Sequence, residues 1–472
     1  MKNIFIAIAV LFAISSCQQY NNQATASSSS KRSEDPRPNI IFVYADDWGF
    51  GDLSSQGSSF CKTPNLDQMA AEGIAFKNFS VVNPVCSPSR TSIMTGHFPA
   101  RHFVHGHFAG VESHVRRNMP DWLDPKAPML PRMLKDAGYA TAHYGKWHLS
   151  NTHVPDGPSP LEYGYDDFEC FNIQDMYTQL DADSTMDRTI KFVEKNKDKP
   201  FFINAWIHAT HTPHYPKTHF LKEFEDLGEK EQVYAAIVKD ADHKMGLLFA
   251  KLKELGIDDN TLVIFSSDNG PAPNQNREIW GQDNSTGPGC GVYFSVGETA
   301  GLKGQKASIH AGGVRVPFLV RWPKEVPAGK EDKVTALASV DMLPTFVELA
   351  KAKLPKGYVS DGQSVVRAFK GQKMNREKSI FWQWKWPHNR KADYWASGAI
   401  QEDNWRLLFN EETGQKELYN LTEDWKEQDN VVEAFNDKVI HMMEKYKKWE
   451  KTLPENPSSD CFSAVRNSKK AL

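Results

Sequence analysis

The chain reads as an α/β fold: a mixed, mostly parallel sheet sandwiched by helices, with a smaller C-terminal α+β part that carries an antiparallel sheet. Three observations predict this. Short apolar runs rich in β-branched and aromatic residues alternate with helical patterns from residue 39 to about residue 340. Several of those runs end abruptly in side chains capable of chemistry. Beyond Asp341 the composition shifts to a Lys/Pro/Gly-rich stretch at 351–357 and then to short aromatic runs. Strands separated by helices pair in parallel and bury both faces of the sheet.

Taken in order, residues 4–14 form an apolar run behind Lys2 that is too short to span a bilayer, the pattern of a targeting segment. Ile14-Ser15-Ser16-Cys17 resembles the lipobox of bacterial lipoproteins, which implies a lipid on Cys17; an ordinary secretory signal cleaved nearby is the other reading. Both export the folded part, to the outer membrane or the periplasm, and Gln18 behind the Cys favours the outer membrane. Residues 1–17 are thus signal, and the Ser/Gln/Asn-rich 18–37 a flexible tether. Residues 39–44 form a buried-strand pattern that runs into Asp46-Asp47. Thr63-Pro64 opens a helix with Leu66, Met69 and Ala70. Residues 139–144 reach Gly145-Lys146-Trp147-His148, and 201–207 run into His208 and His211. A helix over 231–255 has Val233, Ile237, Leu248, Leu252 and Leu255 as its apolar stripe, and 261–265 end at Ser267-Asp268-Asn269-Gly270. The runs 380–384, 394–400, 405–409 and 417–419 predict the antiparallel sheet, with a helix over 430–451. The main body is 38–350 and the C-terminal subdomain 351–472.

Sites in open α/β sheets gather outside the carboxyl ends of the strands. Four strands ending in Asp-Asp, Lys-x-His, His-x2-His and Asp-Asn therefore predict one site assembled from distant segments. Asp46, Asp47, Asp268 and Asn269 are an all-oxygen set that suits Ca²⁺, or Mg²⁺, rather than Zn²⁺. The net charge of −3 supplies no electrostatic reason to expect nucleic acid.

Cys86 opens the pentad Cys86-Ser87-Pro88-Ser89-Arg90, continued by Thr91-Ser92-Ile93-Met94-Thr95-Gly96. With Gly145-Lys146-Trp147-His148, Leu302-Lys303-Gly304-Gln305-Lys306 and Gly312-Gly313-Val314-Arg315-Val316-Pro317, it resembles the type I, formylglycine-dependent sulfatases. That resemblance implies an alkaline-phosphatase-like fold and hydrolysis of sulfate esters. It implies that a maturation enzyme converts Cys86 to formylglycine, whose hydrate attacks sulfur and later expels sulfate. It implies Ca²⁺ bridging the nucleophile and a sulfate oxygen, with Cys86 itself among the ligands.

In the same resemblance Arg90 holds the aldehyde hydrate, and Lys146 contacts sulfate while His148 takes the hydrate proton. His211 and Lys306 contact sulfate and assist the departing oxygen. Lys303 stands where Arg is common, so Lys306 is the match to the sulfate-binding lysine. Ser87 and Pro88 predict a helix start just behind the nucleophile, its free N–H groups favouring an anion. Lys146 and His148 alternate on extended chain and so face the same side.

His208 and His214 read equally as capping or packed residues. His105, His107 and His114 form a further His-rich stretch, expected at the surface or lining the cleft. Substrate contacts are expected from 280–294 and from Trp382-Gln383-Trp384-Lys385-Trp386-Pro387-His388-Asn389-Arg390, where Trp faces stack on sugars or, equally, pack the small sheet. An exported enzyme meets sulfate esters on polysaccharides, which points to sulfated oligosaccharides, algal (ulvan, carrageenan, fucan) ahead of glycosaminoglycan. A phosphonate or phosphodiester hydrolase of the same superfamily, or a non-catalytic glycan-binding surface lipoprotein, are the competing readings. Export permits disulfides among Cys61, Cys170, Cys290 and Cys461, with the pairing open.

Overall fold

The computed structural model describes residues 35–172, 182–212, 214–273, 295–386 and 393–466, and the chain from Asp35 onward forms one compact unit. The main sheet is built from β1 (Asn39–Ala45), β2 (Ile74–Phe76), the short β3 (Phe79–Ser80, outside this sheet), β4 (Ala140–Lys146), β5 (Asp167–Phe171), β6 (Phe201–Trp206), β7 (Thr261–Ser267), β8 (Phe318–Arg321) and β9 (Lys330–Asp332). Its order is β5-β4-β6-β1-β7-β8-β2-β9. The five strands from β5 to β7 are mutually parallel; β8 runs antiparallel to both β7 and β2, and β2–β9 is parallel again.

Every residue of β1, β4, β6 and β7 is buried, as expected of strands covered on both sides. Successive side chains go to opposite layers. Ile40, Phe42 and Tyr44 join one core and Ile41, Val43 and Ala45 the other; Leu262 and Ile264 part from Val263 and Phe265 in the same way. The second layer is closed by the helices Pro64–Ala71, Ala182–Asn196 and Glu229–Glu254. The long helix presents Val238, Ala241, Met245, Leu248 and Leu252 to the sheet. Val233 instead packs with Phe220, Leu221 and Phe224, while Ile237 and Leu255 are only partly buried, so the stripe is shifted from the predicted one.

The first layer is closed by the helices Cys86–Thr95, Leu130–Asp136 and Met342–Leu349 and by the C-terminal sheet. After the two-residue β10 (Leu337–Ala338), that sheet is β11 (Ile380–Gln383), β12 (Gly398–Glu402), β13 (Trp405–Phe409) and β14 (Lys416–Asn420), antiparallel throughout. The helix Asn436–Glu450 lies on it through Val439, Met442, Tyr446 and Trp449; it starts later than predicted, after a short 3₁₀ turn at Val432–Ala434. Trp382 is fully buried here and its indole N–H donates to the Val81 carbonyl, while Trp384 is 5% exposed. Both are core residues, so of the two readings of these tryptophans packing of the small sheet holds for Trp382 and Trp384. Residues 280–294, His388 and Arg390 lie outside the described residues, as does Cys17. Cys61, Cys170 and Cys461 are buried free thiols; Cys290 is not among the described residues.

Asp242, buried on the long helix, reaches across to the start of Pro64–Ala71. It accepts the backbone N–H of Asn65 (3.0 Å) and Leu66 (2.8 Å) and the Asn65 amide (2.8 Å), where the helix has no cap of its own. Asp242→Ala is expected to cost about 1–3 kcal/mol. A lower denaturant midpoint at unchanged slope would show it.

Candidate active site

β4, β6, β1 and β7 are neighbours and parallel, so their carboxyl ends form one edge. Asp46 and Asp47 follow β1, Lys146 closes β4, His208 and His211 follow β6, and Asp268 and Asn269 follow β7. Two close approaches set this edge. Gly145 has φ 94°, and a Cβ there would lie 2.1 Å from the Trp206 carbonyl oxygen, so only glycine lets β4 and β6 meet. A Cβ on Gly270 would lie 1.8 Å from the Gly312 carbonyl, which draws the segment behind Asp268 onto the loop that carries Lys306.

The helix Cys86–Thr95 points its first turn at this edge, and it begins with Cys86 itself rather than behind it. The Cys86 Sγ lies 3.7 Å from Asp46 Oδ1 and 3.5 Å from Lys146 Nζ. Lys146 Nζ is 2.5 Å from Asp46 Oδ2, and Lys306 Nζ is 2.7 Å from Asp47 Oδ2. Lys303 turns away to Glu417 (2.9 Å) and the Tyr419 hydroxyl, so of the two lysines in the segment Lys306 is the one at the site. Arg90 donates twice to Asp268 Oδ2 (3.1 and 2.6 Å) and once to the Lys146 carbonyl (3.3 Å). It makes no hydrogen bond to Cys86; its place is as a brace between helix and strand ends.

Three carboxylates and three cations are thus interleaved in a nearly dry space. Burial raises the Asp46 carboxyl, but the electrostatic pull of His211, Lys146 and Arg90 and the hydrogen bond from His208 outweigh this and hold it well below the usual range. Asp268 goes the other way, to about 6, through burial and the nearby Asp46. Burial pushes the Cys86 thiol up to about 12 against the pull of Lys146 and Lys306, so it is held as a thiol rather than a thiolate.

Carbonyl acceptors assign the histidine tautomers, because a carbonyl can only accept. His148 Nε2 donates to the Phe108 carbonyl (3.0 Å), which leaves Nδ1 bare, and that atom is buried with no partner. His148 lies past the end of β4 at φ 53°, so left-handed backbone turns it, rather than strand alternation with Lys146. His211 Nδ1 donates to the Thr212 carbonyl (2.6 Å), leaving Nε2 3.8 Å from Asp47 Oδ2. His208 Nδ1 reaches Asp46 Oδ2 at 3.2 Å.

The ligand atoms of Asp46, Asp47, Cys86 and His211 all lie within 4.8 Å of one another. Asp268 lies outside that grouping; one of its oxygens accepts from Arg90 (2.6 Å) and the other from the Asp47 N–H (3.2 Å). Asn269 donates its amide to Asp47 Oδ1 (2.6 Å) and to the Gly270 carbonyl (2.9 Å), and its Oδ1 is buried with no partner. A buried oxygen left bare between carboxylates fits a hard cation.

Some contacts at the site had no signal in the sequence. Thr210 donates to the Asp46 carbonyl (2.7 Å), Ser267 accepts the Trp48 N–H (2.9 Å), and His143 Nε2 meets the Lys146 carbonyl (3.1 Å). The expectation for the other histidines is corrected in part. His114 is fully buried, its Nδ1 paired with Asp121 (2.8 Å) and its Nε2 accepting the Ala109 N–H (2.7 Å). His105 is buried too. His107 is exposed, its ring 6.2 Å from that of His148.

The family model for sulfatases matches residues 38–352, and one for the C-terminal part of N-sulphoglucosamine sulphohydrolase matches 304–452. The chain is 30% identical over 390 residues to N-acetylgalactosamine-6-sulfatase of Canis lupus familiaris, covering 73% of this chain and 68% of that one. It is 24% identical to N-acetylgalactosamine-6-O-sulfatase of Bacteroides thetaiotaomicron, covering 94% and 98%. Among solved structures, Ps i-CgsB in complex with k-i-k-neocarrahexaose superposes with a TM-score of 0.72 at 27% identity, over 92% of this chain and 98% of that one.

A divalent cation that binds this site in the folded state alone stabilises it by mass action. At a free concentration one hundred times its Kd the gain is about 2.7 kcal/mol. The expected outcome is a Tm that rises with added cation, returns on chelation, and no longer responds in Asp47→Ala.

Proposed function

The chain belongs to the sulfatase family and is a sulfuric ester hydrolase, and from that premise we propose that it desulfates oligosaccharides of a sulfated polysaccharide, using Cys86 matured to formylglycine and a Ca²⁺ ion. The observation that carries this reading is the convergence of Cys86, Lys146, Lys306 and His211 on the carboxylates Asp46 and Asp47 at one strand edge. The relatives that act on N-acetylgalactosamine sulfates and the neighbour solved with neocarrahexaose support a sulfated sugar as substrate. An algal galactan such as carrageenan stands ahead of a glycosaminoglycan in this reading, while the overlap is near-complete both with the carrageenan neighbour and with the bacterial N-acetylgalactosamine-6-O-sulfatase. Export behind residues 1–17, with Cys17 lipidated, and a maturation enzyme acting on Cys86 belong to the same reading.

Asp46, Asp47, Asp268 and Asn269, with residue 86, would hold the cation, which would lend positive charge to the sulfate oxygens. Formylglycine at position 86, as its hydrate, would supply two hydroxyls on one carbon, one to take the sulfuryl group and one to release it. Everything else falls to side chains already in place. Lys146 and Lys306 each present N–H donors beside the acidic set, so an anionic ester meets fixed positive charge without reorganisation. The first turn of Cys86–Thr95 leaves only the Ser87 N–H behind residue 86, since Pro88 has none and Ser89 donates to the Val85 carbonyl (3.3 Å). His148, with its proton fixed on Nε2, offers Nδ1 as the base. His211 turns Nε2 to the pocket, where with Lys306 it supports the departing sugar oxygen.

Two measurements test this. Peptide mass spectrometry of protein made with the maturation enzyme is expected to find formylglycine at position 86, and Cys86→Ala to abolish turnover with Tm nearly unchanged. Cys86→Ser is expected to stall as a sulfated enzyme; wild-type turnover by either variant would reject the nucleophile.

A panel of carrageenan and chondroitin oligosaccharides, an aryl sulfate and an aryl phosphate separates the substrate classes. Sulfate release from the oligosaccharides, restored after chelation by Ca²⁺ better than by Zn²⁺, is the expected result. Cleavage of the aryl sulfate alone would reject a polysaccharide substrate.

A further inference from the structure

A second cation, Arg117, stands near His107 and has no carboxylate partner among the described residues. Arg117 is the last residue of the short helix Val111–Arg117, and its Nη1 donates to the carbonyl of His107 (3.3 Å). Its guanidinium carbon lies 5.4 Å from the centre of the Trp386 ring. Both groups border Gly106: a Cβ there would lie 3.4 Å from Arg117 Nη1 and from Trp386 Nε1, an ordinary contact. The aromatic face and the carbonyl hold a long side chain in one orientation, so little entropy is lost when it meets a ligand.

Several other arginines face acids, while Arg132 and Arg315 donate to backbone carbonyls. Arg101 pairs with Asp361, Arg321 with Glu72 and Asp258, Arg376 with Asp341, and Arg466 with Asp121. Among the described residues no carboxylate pairs with Arg117. Burial first, and then the like charge of Arg116, makes it slightly less basic than an ordinary arginine, the mark of a cation short of counter-charge. It is partly exposed, so its remaining N–H groups are open to a ligand.

Its position relative to the chemistry follows from one residue. The His107 carbonyl holds Arg117, while the His107 ring is exposed and stands 6.2 Å from the ring of His148. The next residue, Phe108, offers the carbonyl that fixes the His148 proton. The segment Gly106-His107-Phe108 therefore carries contacts of both groups, Arg117 at the His107 carbonyl and His148 at the neighbouring Phe108 carbonyl. A substrate held by its sulfate at Lys146 and Lys306 would extend over His107 toward Arg117.

We propose that Arg117, held against Trp386, is a second anion-binding position that reads a further sulfate or carboxylate on the substrate sugar or its neighbour. The inference rests on the oligosaccharide reading above. It makes the enzyme selective for multiply charged glycans, because a neutral partner leaves the guanidinium partly desolvated and unmatched.

The test is a cycle between enzyme and substrate. Wild type and Arg117→Gln are each assayed on three oligosaccharides of equal length: one with a single sulfate, one with a second sulfate on the same or adjacent sugar, and one with an adjacent uronate. Loss of one charge-assisted contact is expected to lower kcat/KM by about 10- to 100-fold on the doubly charged substrates, mainly through KM, with the singly charged one as reference. Arg117→Lys is expected to restore part of the loss. Comparison of the second-sulfate and uronate arms says which anion is read.

An equal loss on all three substrates would make Arg117 a brace for the Gly106–Phe108 segment and overturn the proposal, as would no loss on any. If wild-type enzyme cleaves none of the oligosaccharides, the substrate reading falls; if it cleaves them with the same charge preference in Arg117→Gln, only the anion position falls.

Discussion

One guanidinium ties the nucleophile's helix to the sheet. Arg90 is fully buried on Cys86–Thr95 and touches the ends of four adjacent strands at once. It donates to Asp268 beyond β7 and to the carbonyl of Lys146 on β4, and it lies over Trp206 of β6 (4.8 Å) and Tyr44 of β1 (5.6 Å). The position of residue 86 relative to every other group at the site depends on that contact. A buried ion pair is weak evidence of stability, since both charges lose water; removing one partner, however, costs several kcal/mol. The arrangement therefore specifies a geometry more than it strengthens the fold.

The same edge concentrates unusual backbone. Asp47, His148 and Thr210 all have positive φ (62°, 53° and 76°), a costly state for residues other than glycine. Each is held by its neighbours: Asp47 through its N–H to Asp268, His148 through Phe108, and Thr210 through the Asp46 carbonyl. Bracing also comes from the C-terminal sheet. Glu417 of β14 grips Lys303 and His310 (3.0 Å), while Arg406 of β13 and Glu427 clasp the Ile309 carbonyl and the Ala311 N–H. The loop bearing Lys306 is thus held at both ends by elements far from it in sequence. That gives the small sheet a direct mechanical part in the chemistry.

The C-terminal tail does the same for the other side of the cleft. Ser463 and Arg466 bind Asp121, which holds His114, which in turn accepts the Ala109 N–H next to Phe108. A chain of fixed hydrogen bonds thereby runs from the tail to the carbonyl that sets the His148 tautomer. His114 looked in the sequence like one of several histidines lining a cleft; its burial makes it a support instead.

The sequence alone determined what is local: apolar runs that must be strands, helices between them, and the chemical groups at each strand end. Asp46-Asp47, Cys86 and Gly145-Lys146-Trp147-His148 were legible because turn geometry, strand endings and motif spacing are written within a few residues. The antiparallel runs of the small sheet were legible for the same reason. Tertiary structure decided which groups meet. Trp382, Trp384 and Trp386 are spaced alike on one stretch, yet the first two are core and the third supports Arg117, a difference set by what packs over them. Lys303 and Lys306 differ by three residues, and only the loop's path sends one to Glu417 and the other to Asp47. Distances between groups remote in the chain follow from sheet order and close backbone approach, and no local pattern encodes those.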